Sequence, residues 1–423
     1  MEIFNFARLK AQEIFNFARL KAQASSENTS PQHLEALASA NLELAGLVAQ
    51  NPSAPPELLQ ELSQHGARPV RQNVTANPNT PIEILLKLAA EFPKTFLENP
   101  IFPLLQLEKP DFIRTLPTDT AVSLLQCENA PIGWLKQVST DVRGEVAGNP
   151  QTPVATLLLL AEDEYWRVRA AVARNPQTPV ATLRLLAEDN NEEVRQAVAR
   201  NPQTPETALL KLAGDKSYTV RLRVAENPQA PMVTLRLLAG DTNSGVRCED
   251  VRRAVAKNPK TPEAALLQLA EDNSEGVRQK VAGNLQAPEA ALLLLAEDND
   301  VLVRIAVAKN PKTPEAGLLQ LAGDNSKGVR QEVAGNPQTP EAALLLLAED
   351  NEDWVLLAVA RNRKTPEAAL LLLAQHHDDW VRQKVAENPQ TPESALLVLA
   401  QHCWHDVRAA ARTTLKNRRK KLT

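Results

Sequence analysis

Asparagine, in most copies followed by proline, returns on a fixed count in this chain. Asn149, Asn175, Asn201, Asn227, Asn258, Asn284, Asn310, Asn336, Asn362 and Asn388 stand 26 residues apart at every step but one. The exception is 31. Five extra residues around Val246–Asp250 account for it, since a second Val-Arg follows at Val251-Arg252. Leu285 and Arg363 replace the proline in two copies. Weaker copies lie upstream at Asn51-Pro52, Asn77-Pro78, Asn99-Pro100 and Asn129-Ala130-Pro131. Residues 257–308 and 309–360 differ at only 11 of 52 positions, a two-repeat duplication inside the series. At about 150 residues per domain the length would suggest three globular domains, but a period this short points instead to a stacked array.

One repeat, read from Val194, is VRQAVARNPQTPETALLKLAGDKSYT. Val194 and Val198, with Ala199, make the apolar stripe of a short helix. Asn201-Pro202 ends it, because a residue before proline avoids helical backbone. Thr204 is placed to cap a second, longer helix, with Pro205 at its first position and Glu206 in its first turn. Leu209 and Leu212, with Ala208 and Ala213, carry its apolar side, and Gly214-Asp215 closes it. No alternating strand pattern occurs. A lone repeat cannot bury its stripe, so the repeats must stack into an all-α solenoid.

Composition removes other classes. Apolar residues reach 43%, and 31 Pro against 14 Gly stiffen the loops, so neither collagen nor a disordered chain fits. No apolar run approaches the roughly 18 residues of a membrane span, so no transmembrane segment is expected. The opening MEIFNFARLK lacks the pattern of a secretory signal. Cys127, Cys248 and Cys403 are too few and too scattered for a disulfide framework, which favours a reducing cytoplasm.

The phrase VRxxVAxNPxTPxxxLxxLAxD, as from Val168 to Asp189, resembles the leucine-rich repeat variant family. The resemblance covers residues 142–411, with degenerate repeats over 31–141; residues 1–30 are an amphipathic helix and linker, and 412–423 a basic tail. It implies a right-handed superhelix of two parallel helix layers, short helices inside and longer ones outside. Some members carry a cysteine-ligated iron–sulfur cluster before the repeats. Here no cysteine precedes Cys127 and no CxxC occurs, so no cofactor is expected.

Two recurrent charged positions invite a functional reading. Arginine recurs at Arg143, Arg169, Arg195, Arg221, Arg252, Arg278, Arg304, Arg330, Arg382 and Arg408, with Leu356 the exception. Aspartate recurs at Asp163, Asp189, Asp215, Asp241, Asp272, Asp298, Asp324 and Asp350. These could bind an anion. The favoured reading is an Arg–Asp ladder inside the stack, because the arginine falls within the packed arc. The repeated asparagine is expected to satisfy backbone groups of its turn.

Function is sought where the repeats vary. The third, fourth and seventh positions of the short helix point away from the apolar arc. From the repeat of Arg169 onward they supply Arg174, Arg200, Arg223, Arg253, Lys257, Lys280, Lys309, Arg361 and Lys384 against Glu226, Glu332 and Glu387, nine minus three, on a chain of net charge −4. The turns add Lys260, Lys312 and Lys364, and Leu222, Ile305 and Leu357 are expected as exposed apolar anchors on the same surface. The expected site is therefore a basic groove for an acidic or extended protein partner, with nucleic acid the alternative; cations near helix C-termini also simply complement the helix dipole.

His376, His377, His402, Cys403 and His405 crowd two equivalent loops, but solvated loop residues are favoured over a metal site, and no metal is expected. No nucleophile–base–orienter set, P-loop or metal-protease motif occurs, so an enzyme is not expected. At the N-terminus EIFNFARLKAQ is written twice, Glu2–Gln12 and Glu13–Gln23. Eleven residues are about three helical turns, which stacks Ile3, Phe4, Ala7, Ile14, Phe15 and Ala18 on one side, widened by Phe6, Leu9, Phe17 and Leu20. This helix is expected to cover the open end of the stack, with self-association or partner binding next and a membrane surface last. Ala24–Ser30 is read as a polar linker. Arg408, Arg412, Lys416, Arg418, Arg419, Lys420 and Lys421 make the other end basic.

Overall fold

The computed structural model describes residues 2–242 and 247–422, with side chains for 10, 12–242 and 247–419. Among the described residues every regular element is helical and none is a strand. Val246 of the insertion lies outside them. The chain divides into two compact halves, Met1–Gln203 and Thr204–Thr423.

The N-terminal half opens with one helix, Glu2–Ser25, in which the two 11-residue copies run on without a break. It packs on the chain's own first repeats through Phe17, Leu20 and Ala24, beside Leu34, Leu44 and Val48. Residues three and four apart share a helix face, so Phe17, Leu20 and Ala24 form one stripe. The expected face is thereby corrected: Ile14 and Phe15 stay 68% and 78% exposed, and Ala18 is exposed too. Ile3, Phe4, Phe6, Ala7 and Leu9 lie outside the described side chains. The helix also enters the segment read as a linker. Ala24 is fully buried there, because Asn51 Nδ2 donates to the Ala24 and Ser26 carbonyls, each at 2.9 Å.

Two-helix repeats follow at once, with Leu42–Gln50, Pro56–Leu62, Arg68–Ala76 and Ile82–Leu88 in alternation. The pattern then breaks. Asn77 to Asn99 is a step of 22, and the 3₁₀ helices Phe112–Thr115 and Ile132–Lys136 interrupt the series. Here Phe96, Phe102, Phe112 and Trp134 fill the core edge to face, with ring centroids as close as 5.2 Å. Regular repeats resume with Thr140–Gly148.

In the C-terminal half each repeat holds a valine helix and a leucine helix, as in Lys327–Gly335 and Glu341–Leu347. Their lengths, nine and seven residues, reverse the expected order. The valine helix starts ahead of its first valine. The leucine helix starts late, because the proline stands at the cap: Pro205 caps Glu206–Leu212 with no side-chain hydrogen bond. Threonine does not cap. Instead Thr261 and Thr313 Oγ1 donate back across the turn to the Val255 and Val307 carbonyls, both at 2.6 Å.

Packing follows the stripes. Val303, Val307 and Ala308 are fully buried on one helix, and Ala291, Leu292 and Leu295 at 0–1% exposure on the other. Burying one such side chain contributes about 1.5–3 kcal/mol. Valine helices of successive repeats lie in closer contact than leucine helices do. The five inserted residues leave the stacking register intact, since Arg252 still reaches back to the Asp241 carbonyl at 2.9 Å. The chain ends in a helix, His405–Leu422, that carries the basic tail and docks through Val407 and Ala411, both fully buried.

Candidate binding surface

Most recurrent polar residues are already committed. In the N-terminal half Arg143 and Arg169 Nε donate to Asp163 and Asp189 at 2.6 Å, a carboxylate 20 residues ahead. In the C-terminal half Arg221, Arg252, Arg278, Arg304 and Arg330 pair in the same way with Asp241, Asp272, Asp298, Asp324 and Asp350, at 2.5–2.9 Å. Each arginine has a second tie. Arg304 Nη1 donates to the Asp298 carbonyl at 2.7 Å, one repeat back. Burial pushes the Asp298 carboxyl up, but the Arg278 hydrogen bond and charge outweigh it and hold it below the ordinary aspartate value. Asp189 and Asp350 follow the same rule. The arginines of the ladder are therefore structural. Sequence reading missed one rung: Arg71 pairs with Glu91, also 20 residues on, at 2.5 Å, with glutamate in the aspartate's place.

The asparagines form a second ladder. Asn310 Nδ2 donates to the Ala282 and Asn284 carbonyls of the preceding repeat at 2.7 and 3.1 Å, and its Oδ1 accepts the Lys312 N–H at 2.9 Å. Asn175 does the same in the N-terminal half. The turn was expected; the donation across repeats was not.

The histidine loops are variants of the first ladder. His376 and His402 stand where other repeats have aspartate, and so does His65. Each uses Nδ1 as the aspartate uses its carboxylate, accepting the N–H two residues on: Asp378 at 3.2 Å, Trp404 at 3.1 Å and Ala67 at 3.0 Å. Twenty residues before His376 the arginine has become Leu356, which is buried. Before His402 it persists as Arg382, which turns to Asp379 and leaves its Nε buried without a partner. Asp353, His376 and His377 do bring potential ligand atoms within 4.8 Å of one another. But His376 Nδ1 accepts a backbone N–H, so its proton sits on Nε2, toward Asp353 Oδ1 at 3.9 Å. A metal on Nε2 would need that proton moved to Nδ1, against the Asp378 N–H. His402, Cys403 and His405 do not converge on one point in the described structure.

What remains is the variable surface of the valine helices. Arg174 and Arg200 are exposed in the N-terminal half; Lys257, Lys280, Lys309 and Arg361 are exposed in the C-terminal half. The three positions are not equivalent. The seventh is exposed throughout, whereas Leu222, Arg223, Arg253, Ile305 and Lys384 at the third and fourth are half-buried. Leu357 is buried at 8%, so it packs inside and is no exposed anchor. Several cations carry local partners: Arg223 with Glu226 at 2.6 Å, Arg253 with Asp250 at 3.0 Å, Lys309 with Glu332 at 3.3 Å and Lys384 with Glu387 at 2.6 Å. Lys257, Lys280 and Arg361 have no ion pair among the described residues.

Residues 166–190, 192–217 and 249–274 match the leucine rich repeat variant family, and residues 18–76 match the Leucine Rich Repeat Variant domain. Over these stretches the chain carries leucine-rich variant repeats. No curated protein matches it. Among solved structures it is similar to a leucine-rich repeat variant described as having a novel repetitive structural motif, at 27% identity over 54% of this chain and 88% of that one, TM-score 0.41. A designed armadillo repeat protein in complex with the peptide (KR)4 shares 17% identity over 62% of this chain and 96% of its own, TM-score 0.17. Kap95p, from a structure of its binding to RanGDP, shares 13% over 98% of this chain and 58% of its own, TM-score 0.25. Among the described residues no helix is long and apolar enough to cross a membrane.

Proposed function

We propose that this leucine-rich variant repeat protein is a non-catalytic binding scaffold whose valine-helix surface holds an acidic, extended protein segment. One observation carries the reading. In the C-terminal half Arg221, Arg252, Arg278, Arg304 and Arg330 are tied to aspartates, yet the third, fourth and seventh positions add seven cations against three acids. The adjoining turns add Lys260, Lys312 and Lys364, all exposed. A surface with that balance attracts anionic chains and is weakened by salt. Nucleic acid is the competing partner, favoured by the basic helix His405–Leu422, where Arg412, Lys416 and Arg419 are exposed.

The test is charge reversal with the fold monitored. Lys257, Lys309 and Arg361 changed together to Glu should abolish capture of acidic peptide while circular dichroism stays unchanged. Equal capture by the triple variant removes the basic surface as the site. Retention of single-stranded DNA that falls steeply with salt, with no peptide binding, would favour nucleic acid instead.

A further inference from the structure

At the seventh position and in the turn the cations are grouped, and the groups skip every second repeat; Lys280, at the fourth position, is the exposed cation of the first skipped repeat. At the seventh position of the valine helix and in the turn that follows it, Lys257 is joined by Lys260, Lys309 by Lys312, and Arg361 by Arg363 and Lys364. All seven are exposed. The repeats between them offer Gly283 with Gln286, and Gly335 with Gln338, and the flanking repeats offer Glu226 and Glu387. The row thus reads acid, cations, neutral, cations, neutral, cations, acid. The doubled segment ends at 360, yet the next repeat continues the alternation with different residues, Arg361 and Arg363.

Nothing in the local backbone demands glycine in the gaps. A Cβ at Gly335 would meet nothing within 4 Å, and one at Gly283 only ordinary contacts at 3.6 Å and beyond. The gaps are open floor. Lys364 leans over the second gap, where its Nζ donates to Gln338 Oε1 at 3.5 Å; Lys260 Nζ donates to Gln229 Oε1 at 3.1 Å in the flanking repeat. Among the described residues Lys309 alone of the seven has a carboxylate partner, Glu332, and both groups reach solvent, so that pair is readily exchanged for another anion.

We infer, resting on the function proposed above, that the C-terminal half reads the spacing of acidic clusters along its partner. Packed helices lie about 8–10 Å apart, so cation groups two repeats apart are separated by about 16–20 Å. An extended chain covers that distance in five or six residues, at roughly 3.3 Å each. The partner is an extended polypeptide with three short runs of Asp or Glu at that interval and small or neutral residues between. At the two ends Glu226 and Glu387 are paired with Arg223 and Lys384, so the row of free cations stops there. A nucleic acid fits this row worse, since its evenly spaced phosphates would meet two gaps without a cation at the seventh position or in the turn.

The experiment uses the full chain and three labelled synthetic peptides of one composition. In the first, Glu pairs recur every five or six residues; in the second, every three; in the third, all Glu form one block. Anisotropy at fixed salt should rank the first at least about tenfold tighter than the block, because only it engages all three groups at once. Gly283→Lys with Gly335→Lys should erase that preference by filling the gaps. Equal binding of all three peptides, lost in the Lys257, Lys309 and Arg361 reversal variant, would overturn the spacing rule and leave the acidic-partner function standing. Binding of none would overturn both. Oligo-dT binding tighter than every peptide would overturn the choice of a polypeptide.

Discussion

Replacing Asn310 by Asp and by Ala separates the two jobs of the asparagine ladder. Asn310 is 3% exposed. Its Oδ1 accepts the Lys312 N–H at 2.9 Å, while its Nδ2 donates to Ala282 O at 2.7 Å and Asn284 O at 3.1 Å. Alanine removes all three bonds. Each buried group left unsatisfied costs about 1–3 kcal/mol, and the turn N–H has some access to water, so the total should fall near 3–5 kcal/mol. Aspartate keeps the turn bond and the shape. It also sets a carboxylate oxygen against two carbonyl oxygens, leaving a buried charge uncompensated, which costs about 3–5 kcal/mol. Aspartate should therefore be at least as damaging as alanine at pH 7. Such an aspartate has its folded-state pKa raised, because only the protonated acid can donate to a carbonyl. The variant should accordingly regain stability as pH falls, the reverse of an ordinary paired aspartate. A long repeat array does not melt as one unit, so the assay is hydrogen exchange read peptide by peptide. Amides of Glu275–Ala282 and Val301–Lys309 should exchange about a hundredfold faster or more in both variants, since each 1.4 kcal/mol is a factor of ten. If Asn310→Asp exchanges like the parent at pH 7 while Asn310→Ala does not, the donation across repeats contributes nothing and only the turn matters.

Three further outcomes are expected. Leu292→Ala should cost about 2–5 kcal/mol, since that side chain is fully buried, while Leu293→Ala, 38% exposed, should stay within about 0.5 kcal/mol; denaturant midpoints of the pair check the stripe assignment. His402→Asp should give the buried Arg382 Nε the acceptor it lacks and stabilise the last repeats by about 1 kcal/mol, visible as slower exchange in Asp379–Glu387, and a faster exchange would refute the ladder account of His402. The carboxyls of Asp189, Asp298 and Asp350 lie below their ordinary value when folded, so their contribution is present above the unfolded value near ~3.9 and is lost as pH falls through the folded one. Denaturation midpoints should drop below about pH 4, and less steeply in Asp298→Asn; an equal drop would show that the Arg278 pair is not the source.

The period, the helical class and the core were legible because each is written many times over. Ten copies of the asparagine, eight of them followed by proline, and the repeated valine and leucine stripes leave one solution, a stack of helix pairs. Helix lengths were less legible. Proline at the first helical turn and proline at the cap differ by one residue, and only backbone geometry tells them apart, as at Pro205. The N-terminal helix misled for a different reason. Its doubled segment repeats every 11 residues, so several faces look equally apolar. Which one docks is fixed by long-range contacts to Leu34 and Leu44, and that choice half-buries Phe17 and Leu20 while leaving Phe15 out.

The ladders explain why the candidate surface was only half readable. A residue that recurs every 26 positions serves the stacking of one repeat on the next, and the side chains with that period prove to be bonded within the stack: arginine to aspartate, asparagine to carbonyls, threonine to the valine carbonyl. The same rule makes its own exceptions informative. Where the aspartate is lost at His376, the arginine is lost at Leu356; where it is lost at His402 alone, Arg382 is left with an unpartnered nitrogen. His376 and His402, which look like metal ligands in sequence, are thus substitutions in a structural series. By the same reasoning, side chains that do not keep the 26-residue period are the ones stacking leaves free to change. Exposed cations that recur every 52 positions instead, at Lys257 and Lys309 with Arg361 following, are bonded to no ladder and fill no core. Their period is twice that of the scaffold, so the scaffold does not require it, and a ligand that touches alternate repeats would.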